Sequence, residues 1–119
     1  MSIFKFGNFE VEFDPTEIAF VEKYETAAEN YKNKIKDVPT EGKASKIMKT
    51  VCAIFFETFD GIFGKGTSKK MFGDLQSVDL CVKAFKLLIE IMNDYSETLK
   101  TLLPNTDNRV LKRAKKKAE

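Results

Sequence analysis

The sequence predicts a mainly α-helical fold: three long helices packed with an N-terminal β-hairpin, followed by a basic C-terminal tail. Three observations lead there. Apolar residues recur at three- and four-residue spacing through three long segments, as in amphipathic helices. The first thirteen residues instead alternate apolar and polar, the period of a strand with one covered face. Each change of period falls at a cluster containing Pro or Gly, residues that interrupt an element rather than continue it.

The hairpin comes first. Ile3-Phe4-Lys5-Phe6 and Phe9-Glu10-Val11-Glu12-Phe13 flank Gly7-Asn8, which places strands over about 2–6 and 9–13 around a two-residue turn. Gly at the first central position suits a type II′ turn, and Asn tolerates the positive φ of type I′. Phe9, Val11 and Phe13 share one face of the second strand, with Glu10 and Glu12 on the other. Phe4 and Phe6 share a face of the first. A lone hairpin is marginal in water, so this one must lie on the helices or pair with another chain's edge.

Asp14-Pro15 is a helix-start signal, an N-cap acceptor followed by proline at the first helical position. Ile18, Val21, Tyr24, Ala28, Tyr31 and Ile35 then predict a helix over about 15–37. Val38-Pro39-Thr40-Glu41-Gly42 breaks it. The second helix is expected over 44–63, with Ile47, Val51, Ile54, Phe55, Thr58, Phe59 and Ile62 in one stripe. Met48, Cys52, Phe56, Phe59 and Phe63 form a neighbouring stripe. An element apolar over so much of its circumference is covered on more than one side, which makes this the central helix.

Gly64 or Gly66 ends it, and Thr67 or Ser68 starts a short helical turn over 68–72. Ser77 and Asp79 favour a third long helix over 78–103. Val78, Cys81, Phe85, Leu88, Met92, Tyr95, Leu99 and Leu102 give it a heptad-like seam, closed by Pro104. Residues 1–104 thus read as one domain and 105–119 as a mobile basic tail.

Composition narrows the chemistry. The chain has 119 residues, a net charge of +2, no His and no Trp. Without His the commonest general base is missing, and with it the Ser-His and Cys-His nucleophile pairs. Glu57 and Asp60 lie on the Phe-rich helix with no other reactive group converging on them, so no catalytic residue is assigned. Cys52 and Cys81 cannot furnish the four ligands of an ordinary zinc site and read as small buried hydrophobes. No metal or cofactor is expected. Gly64-Lys65-Gly66-Thr67-Ser68-Lys69-Lys70 lacks the order of a phosphate loop and follows a helix where such a loop follows a strand. No run approaches a membrane span, and no signal-peptide pattern opens the chain, so a cytoplasmic protein is expected.

Two surfaces remain for a partner. The tail carries Arg109, Lys112 and Arg113 among its basic residues, leaving the rest of the chain mildly acidic. It could meet an acidic surface or nucleic acid, but no aromatics are interleaved to stack on bases, which argues against nucleic acid. The other is the segment Phe55–Gly73, which holds five of the chain's 11 Phe. Most of these rings belong to the core. Phe56, Phe59, Phe63 and Phe72 are the candidates for an apolar protein-binding patch.

Ile-Phe-Lys-Phe-Gly-Asn-Phe-Glu at 3–10, Val-Pro-Thr-Glu-Gly-Lys-Ala-Ser at 38–45 and Phe-Phe-Glu-Thr-Phe-Asp-Gly-Ile-Phe-Gly-Lys-Gly-Thr-Ser at 55–68 carry a further signal. Together with Met71-Phe72-Gly73 and the helix start at Cys81–Phe85, they resemble a family of small proteins of phages and prophages of Gram-positive bacteria. These are similar to tail assembly chaperones of long-tailed phages and their relatives of unassigned function. The resemblance implies a non-catalytic, metal-free protein that binds the tape measure protein or tail tube subunits in the bacterial host cytoplasm. It also implies a longer, frameshifted form, for which Lys115-Lys116-Lys117 suits an adenine-rich slippery run. Self-association stays open. The alternatives are a small phage inhibitor or trigger of a bacterial defence system acting through protein contacts, and a nucleic-acid accessory protein using the basic tail.

Overall fold

The computed structural model describes residues 1–102; the tail from 105 to 119, with Arg109, Lys112 and Arg113, lies outside the described residues. The order of elements is β1 (Ser2–Phe6), β2 (Phe9–Phe13), α1 (Ile18–Lys36), α2 (Ala44–Phe63), α3 (Thr67–Phe72) and α4 (Val78–Leu102). A two-stranded antiparallel hairpin followed by helices makes the fold mainly α with a small β part.

The hairpin register pairs Phe6 with Phe9, Phe4 with Val11 and Ser2 with Phe13. Gly7 has φ of +62° while no residue other than glycine has positive φ, so the turn is type II′ and not I′. The turn is also a docking point. The Asn8 N–H donates to the Lys70 carbonyl at 3.1 Å, and a Cβ on Gly7 would lie 2.1 Å from the Met71 carbonyl oxygen. Backbone meets backbone there, which only glycine permits.

α1 starts three residues later than Asp14-Pro15 suggests. The Asp14 carboxylate accepts from the Thr16 hydroxyl at 2.6 Å and the Thr16 N–H at 2.9 Å, and the Glu17 N–H donates to the Asp14 carbonyl. This local turn uses up the capping oxygen before a helix can form. It also holds the Asp14 carboxyl below the usual carboxylate range. Glu17 stays extended (φ −69°, ψ 128°), and helical geometry begins at Ile18.

The covered face of α1 also differs from the expected stripe. Ala27 is buried and Phe20, Tyr24 and Tyr31 pack on the core, whereas Ile18 is exposed. The rings decide the rotation of the helix. Phe20 lies 4.6 Å from Phe13, and Tyr31 lies 5.0 Å from Phe55 and 5.2 Å from Phe85. Aromatic side chains bury more area than the aliphatic ones they displace.

α2 is the central element, with Cys52, Ile54, Phe55, Thr58, Phe59 and Ile62 all buried. Thr58 is accommodated because its hydroxyl donates to the Ile54 carbonyl at 2.8 Å. Asp60 turns toward the next element, accepting from the Ser68 N–H at 2.8 Å and so capping α3 from outside its own sequence. α4 is capped by Ser77, whose hydroxyl accepts from the Leu80 N–H at 3.3 Å. Its Cys81, Ala84 and Leu88 are buried. The seam does not continue to the helix end: Leu99 and Leu102 are exposed.

Cys52 and Cys81 are buried free thiols that face each other across α2 and α4. Burial, and then the neighbouring Cys52, push the Cys81 thiol up to about 12. A thiol held protonated in this way is a packing group, not a nucleophile.

Candidate docking groove

The four phenylalanines expected to form a patch do not form one. Phe59 is fully buried and so cannot touch a partner, and Phe72 is buried among Phe6, Phe56 and Phe59. Phe56 and Phe63 are half-buried. Phe63 is ringed by Phe4 at 5.3 Å, Phe9 and Phe13 at 5.5 Å, and Phe20 at 5.8 Å. Phe56 packs on Phe72 at 5.1 Å. The reason is the hairpin, whose apolar face lies across the C-terminal half of α2. Phe4 stacks over both Phe59 and Phe63. Much of the apolar surplus of the Phe-rich segment is therefore consumed inside the molecule, with Phe56 and Phe63 left partly open.

Open space lies elsewhere, between α1 and α2. A groove of about 550 Å³ runs there, floored by Ala27, Ile54, Thr58 and Gly61. Small residues create it. At Gly61 an added Cβ would lie 3.7 Å from the Ala27 Cβ, an ordinary contact, so the helices sit close with no side chain filling the space above. Ala19 and Thr26 keep the α1 wall low.

The rim is charged with both signs. Glu22 and Lys23 come from α1, and Lys34 forms an ion pair across the groove with Glu57 of α2. That pair is exposed, so it ties the two helices together only weakly. Tyr31 also lines the groove, and burial raises its phenol above the usual value of 10.0.

An apolar floor between two helices, with small residues and a mixed-charge rim, has the character of a helix-accepting groove. Among the described residues no group of three or more His, Cys, Asp or Glu could hold a metal ion. No described helix is long and apolar enough to cross a membrane.

Sequence reasoning missed these residues because it looked for large apolar side chains. The signal it passed over is Gly61, a glycine inside a helix where Ala would be favoured by about 1 kcal/mol. Such a residue asks for a reason, and the low floor of the groove supplies one.

Residues 7–119 match the model of a protein family described as a family of unknown function (DUF6673). Neither the curated proteins nor the solved structures gave a match.

Proposed function

Because the chain belongs to the DUF6673 family, whose function is unknown, we propose its role from the groove and from the resemblance of its sequence to phage tail assembly chaperones. It is a non-catalytic binding protein of phage tail assembly, working in the host cytoplasm. Its partner is an amphipathic helix of the tape measure protein, laid along the groove between α1 and α2.

One observation carries this reading: the groove floored by Ala27, Ile54, Thr58 and Gly61. A partner helix seated there would bury an apolar stripe on the floor. Its charged flanks would meet Glu22, Lys23, Lys34 and Glu57, which offer a complement to either sign. An extended helical partner with exposed apolar stripes is prone to aggregate, and covering one stripe at a time is what a chaperone must do.

Co-expression with the tape measure protein tests the proposal. The two chains are expected to co-purify, and Thr26→Trp, at an exposed position in the groove wall, is expected to abolish association while leaving helical circular dichroism unchanged. Absence of co-purification, or association untouched by Thr26→Trp, would sink the idea.

A further inference from the structure

α4 outruns the core that covers its first half. Cys81, Ala84 and Leu88 are buried, and at Tyr95 the hairpin still touches the helix, the Ser2 hydroxyl donating to the Tyr95 hydroxyl at 3.1 Å. Past that point Leu99 and Leu102 are 52% and 70% exposed. Beside β1 the same helix borders a cleft of about 350 Å³. Its apolar lining is Ile3, Phe4, Leu87 and Ile91, and its charged lining is Lys5, Glu90 and Asp94. Leu87, Ile91, Asp94, Thr98 and Leu102 follow one another at spacings of four, three, four and four. The cleft and the exposed Leu102 therefore lie along one stripe of α4.

Two carboxylates against one ammonium leave the cleft acidic. Lys5 stands opposite Glu10 in the hairpin register. Neither Glu90 nor Asp94 has an ion-pair partner among the described residues. An apolar cleft with an acidic wall calls for an occupant with apolar side chains set among cations.

The geometry points to the chain's own C-terminal tail as that occupant: it turns back beyond Leu102 and lies along the stripe, with Val110 and Leu111 over Leu87 and Ile91, and with Arg109, Lys112 and Arg113 against Asp94 and Glu90. Charge, order and reach all favour this segment. The tail holds six basic side chains against Asp107 and Glu119, while the rest of the chain is mildly acidic. Val110 and Leu111 stand directly between Arg109 and Lys112. At 1.5 Å per helical residue, Asp94 lies about 12 Å and Glu90 about 18 Å back from Leu102 along the axis. The seven residues from Leu102 to Arg109 span up to about 23 Å when extended, so a reversal at Pro104 leaves slack for both contacts. No residue of the α1–α2 groove takes part, so this contact stands or falls independently of the tape measure proposal.

Hydrogen–deuterium exchange of the full chain, read by mass spectrometry over residues 108–113, tests the inference against a free peptide of the same tail sequence. At low ionic strength these amides are expected to exchange at least about fivefold more slowly than in the peptide, and the difference is expected to vanish in about 0.5 M salt. Glu90→Lys with Asp94→Lys, both at exposed positions, is expected to abolish the protection. So is Arg109→Glu with Arg113→Glu, measured against its own peptide, and joining the two pairs of substitutions is expected to restore it. Should the α4 pair lose its helical circular dichroism, the tail pair, which leaves residues 1–102 untouched, carries the charge test alone. Exchange at the peptide's rate in the wild-type chain overturns the inference. So does protection indifferent to salt or to the tail pair, or a swap in a folded chain that fails to restore it. Protection that fades on dilution assigns the tail to a neighbouring copy and overturns it too.

Discussion

Replacing Gly7 by Ala isolates the effect of backbone meeting backbone, because the chain supplies its own control. Gly73 has φ of +61° against +62° for Gly7, but nothing lies within 4 Å of its added Cβ. Gly73→Ala therefore carries only the strain of a left-handed backbone, about 1–3 kcal/mol. Gly7→Ala carries the same strain and two further losses. The new methyl would sit 2.1 Å from the Met71 carbonyl oxygen, so the turn must retreat by about 1 Å to reach a tolerable 3.0 Å. That retreat breaks the 3.1 Å hydrogen bond from Asn8 to Lys70, worth about 1 kcal/mol net and more if the carbonyl is left unpaired. It also loosens Phe6 from Phe72, whose rings are 5.4 Å apart. Gly7→Ala should thus lose about 3–5 kcal/mol, some 2 kcal/mol more than Gly73→Ala. Urea denaturation of the two variants beside wild type reads this as a difference in midpoint. Equal destabilisation would show that the turn does not dock on α3.

The remaining predictions probe the core, the groove and the thiols. Phe63 touches four other rings but is only half-buried, so Phe63→Ala should destabilise by about 2–4 kcal/mol, somewhat below the range for a fully buried ring; thermal unfolding measures it. Gly61→Ala should raise stability by about 0.5–1 kcal/mol through helix propensity, since its methyl meets only an ordinary contact. The same change should weaken tape measure binding by raising the groove floor. Stability should fall as pH rises from about 9 to 12, because folded Cys81 keeps its proton to about 12 whereas the unfolded chain releases it near 9.0. Tyr24 and Tyr31, both raised by burial, steepen the fall above 10.0, and Cys81→Ala should make it shallower. Finally, neither thiol should react with a bulky thiol reagent until the protein unfolds, which absorbance of the released chromophore follows.

Strand alternation around Gly7-Asn8 and the density of apolar residues in α2 made the architecture legible, because both patterns report how much of each element is covered. The start and rotation of α1 were not legible. Asp14 has two uses for one oxygen, a local turn and a helix cap, and Thr16 settles the competition only when the chain geometry is known. The stripe beginning at Ile18 and the one through Phe20, Tyr24, Ala27 and Tyr31 are both regular, and rings on other elements choose between them. The docking surface was misread for a related reason. Phe59 and Phe63 look like a surplus until Phe4 is laid across them, and that contact spans more than half of the described chain. A groove made by small residues leaves little trace in a search for large ones.

The position of Phe4 has a consequence for how the protein is made. The hairpin leaves the ribosome before α2, and the rings that cover its apolar face, Phe59 and Phe63, follow about 55 residues later. At about 5–20 residues per second, the strands wait about 3–11 s without their core. During that interval Phe4, Phe6, Phe9 and Phe13 are open to neighbouring nascent chains on the same message. Yield of native protein should therefore track the speed of translation between the hairpin and the end of α2, rising when that stretch is decoded quickly.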